Sequence, residues 1–213
     1  MNRVYGSVLW LLLFFSMSIA AQGSLSLSIG ANEVKASNAS KGSKIVFFGD
    51  QIEPRTYFAS YFHGADVIAS STDGSAIFDL QRPVPRSAVW IAVDSETGDV
   101  AMAIPPGSPA LEYVPDADSL KHDFSGNIAK LQLPFIIADV LLVRPGDGAW
   151  RISVADGGPK DEDHQHNGKT SASIETLAQF EREKKPPNAL KRGDVLVIIE
   201  PRSLRYAIIK VKQ

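Results

Sequence analysis

The sequence predicts an all-β protein in which two β-domains follow one another, and three observations carry that reading. Gly, Pro or Asp punctuates the chain every 8 to 12 residues after the N-terminal leader, which is the spacing of short strands joined by turns. The runs between those marks are rich in Val, Ile, Phe and Trp, the residues that fit a pleated, half-buried surface. No long stretch of the chain after the leader shows the 3.6-residue period of an amphipathic helix.

The elements follow in order. Leu25, Leu27 and Ile29 alternate with Ser24, Ser26 and Ser28, so one face is apolar and the other hydroxylated, as on an edge strand covered on one side. Ile45 to Phe48 forms the next strand, bounded by Gly42 and Gly49. Val67 to Ala69 and Ala76 to Leu80 are expected to pair as a hairpin through Asp73 and Gly74, a dipeptide that accepts the positive φ of a tight turn. Ala88 to Asp94 and Val100 to Ile104 make a second hairpin across Ser95, Glu96, Thr97 and Gly98. Here Val89, Ile91 and Val93 alternate with Ala88, Trp90 and Ala92, and a strand apolar on both faces belongs at the centre of a sheet. Pro83 and Pro85 cannot sit in a central ladder and must lie outside it.

From Pro105 to about Asn127 the clear period stops, and the stretch reads as a connection or long crossover. Strands resume at Leu131 to Val143, interrupted at Pro134, and at Ala149 to Val154. Ser171 to Phe180 fits either period and is assigned to strand from its context. Val195 to Ile199 and Tyr206 to Val211 close the chain. The division expected is a leader over 1–21, a β-sandwich over 22–106, a Pro/Gly-rich connection over 107–129 and a C-terminal β-domain over 130–213. A partial echo, Arg82-Pro83 before Trp90 and Asp94 against Arg144-Pro145 before Trp150 and Asp156, lacks the sustained period of a true repeat.

The leader places the protein outside the cytoplasm. Arg3 precedes an apolar run from Val8 to Phe15 that ends in small residues at Ser18, Ala20 and Ala21, the three-part pattern of a secretory signal peptide, with cleavage expected after Ala20 or Ala21. The run is shorter than the roughly 20 residues that span a bilayer, so no membrane span is expected after cleavage. The chain has 22 basic and 24 acidic side chains and no cysteine. That balance offers nucleic acid no phosphate-neutralising patch, and the missing thiols exclude a disulfide scaffold, a cysteine nucleophile and thiolate metal sites. An exported chain without cystine must then be stabilised by its packed core, which tilts the expected origin toward bacteria, in the periplasm or outside the cell.

Lys41 to Gly49, "KGSKIVFFG", resembles the opening of IPT/TIG-type immunoglobulin-like domains, in which a glycine precedes a strand of apolar residues that ends on another glycine. The resemblance covers residues 24 to 104 and implies an immunoglobulin-like β-sandwich there. With "SAVWIAVDSETGD", "VRPGDGAW" and "VADGGPKDED", the mature chain is also similar to uncharacterised secreted bacterial β-sandwich proteins. In IPT/TIG-like modules the resemblance implies binding, display or spacing at cell surfaces, with no site residues to carry over.

Candidate chemistry concentrates in one loop, where Asp156, Asp161, Glu162, Asp163, His164, His166 and Asn167 offer oxygen and nitrogen ligands. Asp161, Asp163, His164, His166 and Asn167 are the candidate metal ligands. Counted from Asp163, the loop starts like a calcium-binding EF-hand loop, with Asn167 and Gly168 at the fifth and sixth positions. It departs at the twelfth, where Ile174 stands and Glu175 comes one residue late. His164 and His166 would project to one side of an extended backbone and could share zinc or copper, but a catalytic zinc needs three protein ligands. The competing reading is a solvated acidic loop between strands.

Arg192, Gly193 and Asp194 spell the tripeptide read by integrins, though Gly193 serves as a turn residue before the most apolar strand. Asp94 and Glu96 could act as acid and base, but they flank a turn where polar residues belong. His63 and His122 have no Ser and Asp at triad spacing, and the chain has no Gly-x-Ser-x-Gly elbow. Tyr57, Phe58, Tyr61, Phe62 and His63 make the densest aromatic patch, read as core and rim packing. The function expected is therefore an exported, non-catalytic protein for interaction or scaffolding, its partner a protein or cell-surface component and no cofactor required. The alternative is a calcium- or zinc-dependent enzyme or carbohydrate-binding module built on loop 156–168.

Overall fold

The computed structural model describes residues 18–22, 25–51, 61–70, 72–84, 88–108, 110–114, 121–125, 128–132, 137–155, 169–176, 187–200 and 204–212. Among them every regular element is a strand. They are β1 (Ser18–Gln22), β2 (Ser26–Ile29), β3 (Glu33–Ser37), β4 (Lys44–Gln51), β5 (Tyr61–Ile68), β6 (Ala76–Asp79), β7 (Ala88–Asp94), β8 (Val100–Ala103), β9 (Glu112–Tyr113), β10 (Lys121–Ser125), β11 (Ile128–Gln132), β12 (Ile137–Arg144), β13 (Gly148–Ala155), β14 (Lys169–Thr176), β15 (Val195–Glu200) and β16 (Arg205–Lys210). No helix among the described residues is long and apolar enough to cross a membrane.

The strands form three sheets. One is five-stranded in the order β1-β8-β7-β4-β5, one eight-stranded in the order β10-β11-β14-β13-β12-β15-β16-β9, and one three-stranded in the order β2-β3-β6. The all-β expectation holds, as do several particulars. β7 lies in the middle of its sheet with all seven residues buried. β2 is an edge strand, with Leu25 and Leu27 buried and Ser28 exposed. The ambiguous segment at Ser171 is strand β14, because β11 and β13 offer it ladders on both sides.

The alternation in β7 decides how the layers stack. Val89, Ile91 and Val93 join Val46, Phe48, Val100 and Met102 in an apolar cluster that continues into Leu141, Val143, Val195, Val197, Ile199 and Tyr206 of the eight-stranded sheet. Ala88, Trp90 and Ala92 point the other way, into a cluster with Leu25, Leu27, Val34 and Ala36 of the three-stranded sheet. The five-stranded sheet is thus the middle layer, with β4, β7 and β8 contributing buried side chains on both faces. Each fully buried Val, Leu, Ile or Phe in these clusters stabilises the fold by about 1.5–3 kcal/mol before conformational entropy is counted. Val140, Leu142, Trp150, Leu196 and Ile198 form a third cluster on the far face of the eight-stranded sheet.

Two local expectations are corrected. Asp73 and Gly74 do make a turn, with Gly74 at φ 68°, Ser70 N–H donating to Ser75 O, and Asp73 Oδ1 accepting from Ser75. The strands it joins do not pair as a hairpin: β5 pairs with β4, and β6 pairs with β3 in another sheet. The turn is a corner between layers, because the short apolar face of β6 is buried against Phe47 and Trp90 rather than beside β5. Gly49 also fails to end its strand, since β4 runs on to Gln51 with Gly49 opposite Trp90. A side chain at Gly49 would meet the Trp90 indole at 2.8 Å, so the glycine leaves room for a cross-strand ring.

The second hairpin forms as expected, with Val93 opposite Val100 and Gly98 at φ 68°. The Pro/Gly-rich stretch 107–129 contributes β9, β10 and the start of β11. β9 is the single parallel partner of β16 among the described ladders, Glu112 opposite Arg205 and Tyr113 opposite Tyr206.

Candidate functional site

Two of the three buried carboxylates among the described residues, Asp94 and Asp194, stand at strand ends beside the turns where the two large sheets meet. The β7–β8 turn lies against the eight-stranded sheet. Gly146 N–H donates to Ser95 O, and Lys210 Nζ donates to Thr97 O at 2.7 Å. A methyl on Gly98 would come within 3.0 Å of Val195, so the turn needs both the left-handed backbone and the absence of a side chain.

Asp94 ends β7 at 1% exposure. Its Oδ1 accepts from Glu96 N–H at 2.9 Å and its Oδ2 from Ser40 N–H at 2.7 Å. The first bond is the local turn motif of a short acidic side chain. The second ties the loop before β4 to the hairpin. With both oxygens so held, the Asp94–Glu96 pair is a turn and anchor rather than an acid and a base.

Asp194, also 1% exposed, opens β15. Arg144 at the end of β12 grips it side-on, Nε to Oδ1 and Nη2 to Oδ2, each at 2.9 Å. Lys191 N–H donates to Oδ2 at 2.8 Å, and Arg144 Nη2 also donates to Ala189 O at 2.7 Å. The guanidinium carbon lies 5.9 Å from the centre of the Trp150 ring, and Asp147 lies at 4.0 Å from Nη1. The hydrogen-bonded Asp194 carboxylate raises the Arg144 pKa above the ordinary arginine value, and its charge and that of Asp147 add to the effect. A two-point pair of this kind fixes orientation as well as charge. Asp194 therefore serves the fold, and Arg192-Gly193-Asp194 cannot present its carboxylate to a receptor without breaking it.

Glu200, 4% exposed, bonds Arg205 Nη2 at 2.8 Å across the β15–β16 turn. Next to it, Tyr206 is fully buried, its hydroxyl has no hydrogen-bond partner among the described residues, and its ring centre lies 5.3 Å from that of the partly exposed Tyr113. Burial pushes the Tyr206 phenol upward, and Tyr113 adds to that.

The candidate ligands Asp161, Asp163, His164, His166 and Asn167 lie outside the described residues, as do Tyr57 and Phe58. The structure does show what flanks the loop. β13 and β14 pair from Trp150–Thr176 to Ile152–Ile174, and then part: β13 continues along β12 to Ala155, while the first half of β14 pairs with β11 as far as Lys169. The described ends of β13 and β14 on either side of residues 156–168 therefore lie on different neighbours, Ala155 against β12 and Lys169 against β11. Among the described residues no group of three His, Asp or Glu side chains is placed to hold a metal. His63 stands in β5 and His122 in β10, opposite Leu131. Arg144 is the residue whose role sequence reasoning missed; its signal was an arginine closing an apolar strand directly before the turn at residues 145–147. No protein-family model matches the chain, and no curated protein matches it.

Proposed function

We propose that this chain is an exported, non-catalytic protein of the bacterial envelope or cell exterior that works by interaction or scaffolding, its first half an immunoglobulin-like β-sandwich and its second a smaller β-domain. One observation carries the reading: the buried carboxylates among the described residues, Asp94, Asp194 and Glu200, are each engaged in holding turns and strand ends together. The charge the fold has taken out of water is spent on rigidity. Face-to-face packing of β4, β7 and β8 against β2, β3 and β6, all in the first half of the chain, supports the sandwich, and Arg3, the apolar run to Phe15 and the small residues to Ala21 support export.

The test is affinity capture from the envelope of the source organism with the processed protein, run beside a turnover screen on ester, peptide and glycoside substrates. A reproducibly enriched envelope component without turnover is the expected result. Turnover with no enriched component would overturn the proposal.

A further inference from the structure

The expected leader cleavage, after Ala20 or Ala21, falls inside strand β1. That strand is the outer edge of the five-stranded sheet, antiparallel to β8 with Ser18 opposite Ala103, Ile19 opposite Met102 and Gln22 opposite Val100, the register shifting between Ile19 and Gln22. Cleavage there leaves Gln22, opposite Val100, on the chain and frees the outer backbone groups of β8 opposite Ser18 and Ile19, at Ala103 and Met102.

β8 is an unusual strand to leave at an edge. Val100 and Met102 belong to the core shared with the eight-stranded sheet, and Ala101 and Ala103 to the core shared with the three-stranded sheet. Val100–Ala103 carries no charge and no proline, the devices that ordinarily keep an edge strand from pairing with another chain. Its unpaired N–H and C=O groups would sit between two apolar layers, where leaving them unsatisfied is costly.

We propose that removal of the leader turns β8 into an acceptor for one extended, uncharged strand of a partner protein, which enters antiparallel in place of β1. This inference rests on the leader reading above. The occupant is defined by what the slot holds: Ser18–Gln22, an uncharged strand of mostly small residues with a single branched one, Ile19, opposite Met102. Strand addition of this kind draws affinity from main-chain hydrogen bonds and specificity from alternate side chains. A second copy of the chain fits less well. It would bring its own flanking layers to the same edge, with β2 already beside β8, whereas a single strand needs only the spacing of about 4.8 Å between neighbours.

The absence of cysteine makes the test clean. Processed protein is mixed with a fluorescein-labelled peptide of residues 16–24, and the anisotropy is followed. Saturable binding, competed by unlabelled peptide, is expected. Processed Met102→Cys protein is then oxidised with the peptide carrying Ile19→Cys, against a register control that pairs Ala101→Cys protein with the same peptide. Crosslinking of the matched pair should be about ten-fold faster, because a disulfide tolerates only a narrow Cα separation. Peptide binding to the unsubstituted protein keeps the test valid if either variant misfolds.

Failure of the processed protein to bind the peptide overturns the proposal. So does a doubled mass in solution with no peptide uptake, which would assign the edge to a second copy. Mass spectrometry of the exported protein separates the two layers of the argument. An intact N-terminus overturns the leader reading and the opened edge together, while cleavage without peptide uptake overturns the edge alone.

Discussion

Arg144 and Asp194, fifty residues apart, meet side-on at 2.9 Å through two parallel hydrogen bonds, with the carboxylate 1% exposed and Lys191 N–H donating to the same oxygen that Arg144 Nη2 holds. Replacing Asp194 by Ala leaves the guanidinium with the Ala189 carbonyl and the more distant Asp147 but without its two-point partner. The loss should be about 3–5 kcal/mol, the range for breaking a buried pair by removing one partner. Arg144→Lys keeps the charge but loses the two-point grip, so it should also destabilise, by less. Urea unfolding of the three proteins checks the order. Cells bearing integrins should adhere no better to the folded protein than to its Asp194→Ala variant.

Gly49 lies directly opposite Trp90 across β4 and β7, leaving no room for a side chain beside the indole. Gly49→Ala should destabilise by about 1–3 kcal/mol through overpacking, since the added methyl meets the indole at 2.8 Å and the backbone there is fixed by ladders on both sides. Trp90→Phe shortens the ring at that point. In a double-mutant cycle, the combined variant should lose less than the sum of the single losses.

Tyr206 places a buried hydroxyl where no described residue offers an acceptor. Removing it with Tyr206→Phe should stabilise the protein at neutral pH by about 1 kcal/mol, the low end of the penalty for an unsatisfied buried polar group. The alkaline limb follows from the raised phenol. A group whose pKa is higher in the folded than in the unfolded chain contributes stability that is complete below the unfolded value, about 10 for tyrosine, and is lost as pH rises toward the folded one. Wild-type stability should therefore fall more steeply than that of Tyr206→Phe from about pH 10 upward, which denaturation at neutral pH and pH 10.5 would show.

For loop 156–168, the expected outcome is that of a solvated connection. Thermal unfolding of the mature protein should give the same midpoint in millimolar calcium, in zinc and in chelator. A ligand that binds only the native state raises the midpoint by mass action. A calcium-dependent rise reversed by chelator and abolished by Asp161→Asn with Asp163→Asn would move the metal reading ahead.

The sequence by itself determined whatever depends on near neighbours along the chain. Two-sided apolarity placed β7 at the centre of a sheet, alternation from Leu25 to Ile29 placed β2 at an edge, and Gly98 marked the turn between β7 and β8. These features are local because side-chain direction in a strand has a period of two and because only certain residues accept positive φ. Tertiary structure decided which strands meet. Asp73-Gly74 has the chemistry of a hairpin turn, but where β5 and β6 go afterwards depends on which layer buries Ala76 and Phe78, and no local pattern encodes that. In the sequence Arg144 was legible only as part of the Arg-Pro echo and Asp194 only as part of a turn tripeptide. Their pairing needed β12 and β15 to lie side by side, Val143 opposite Val195, which brought a charge from each strand to one buried end.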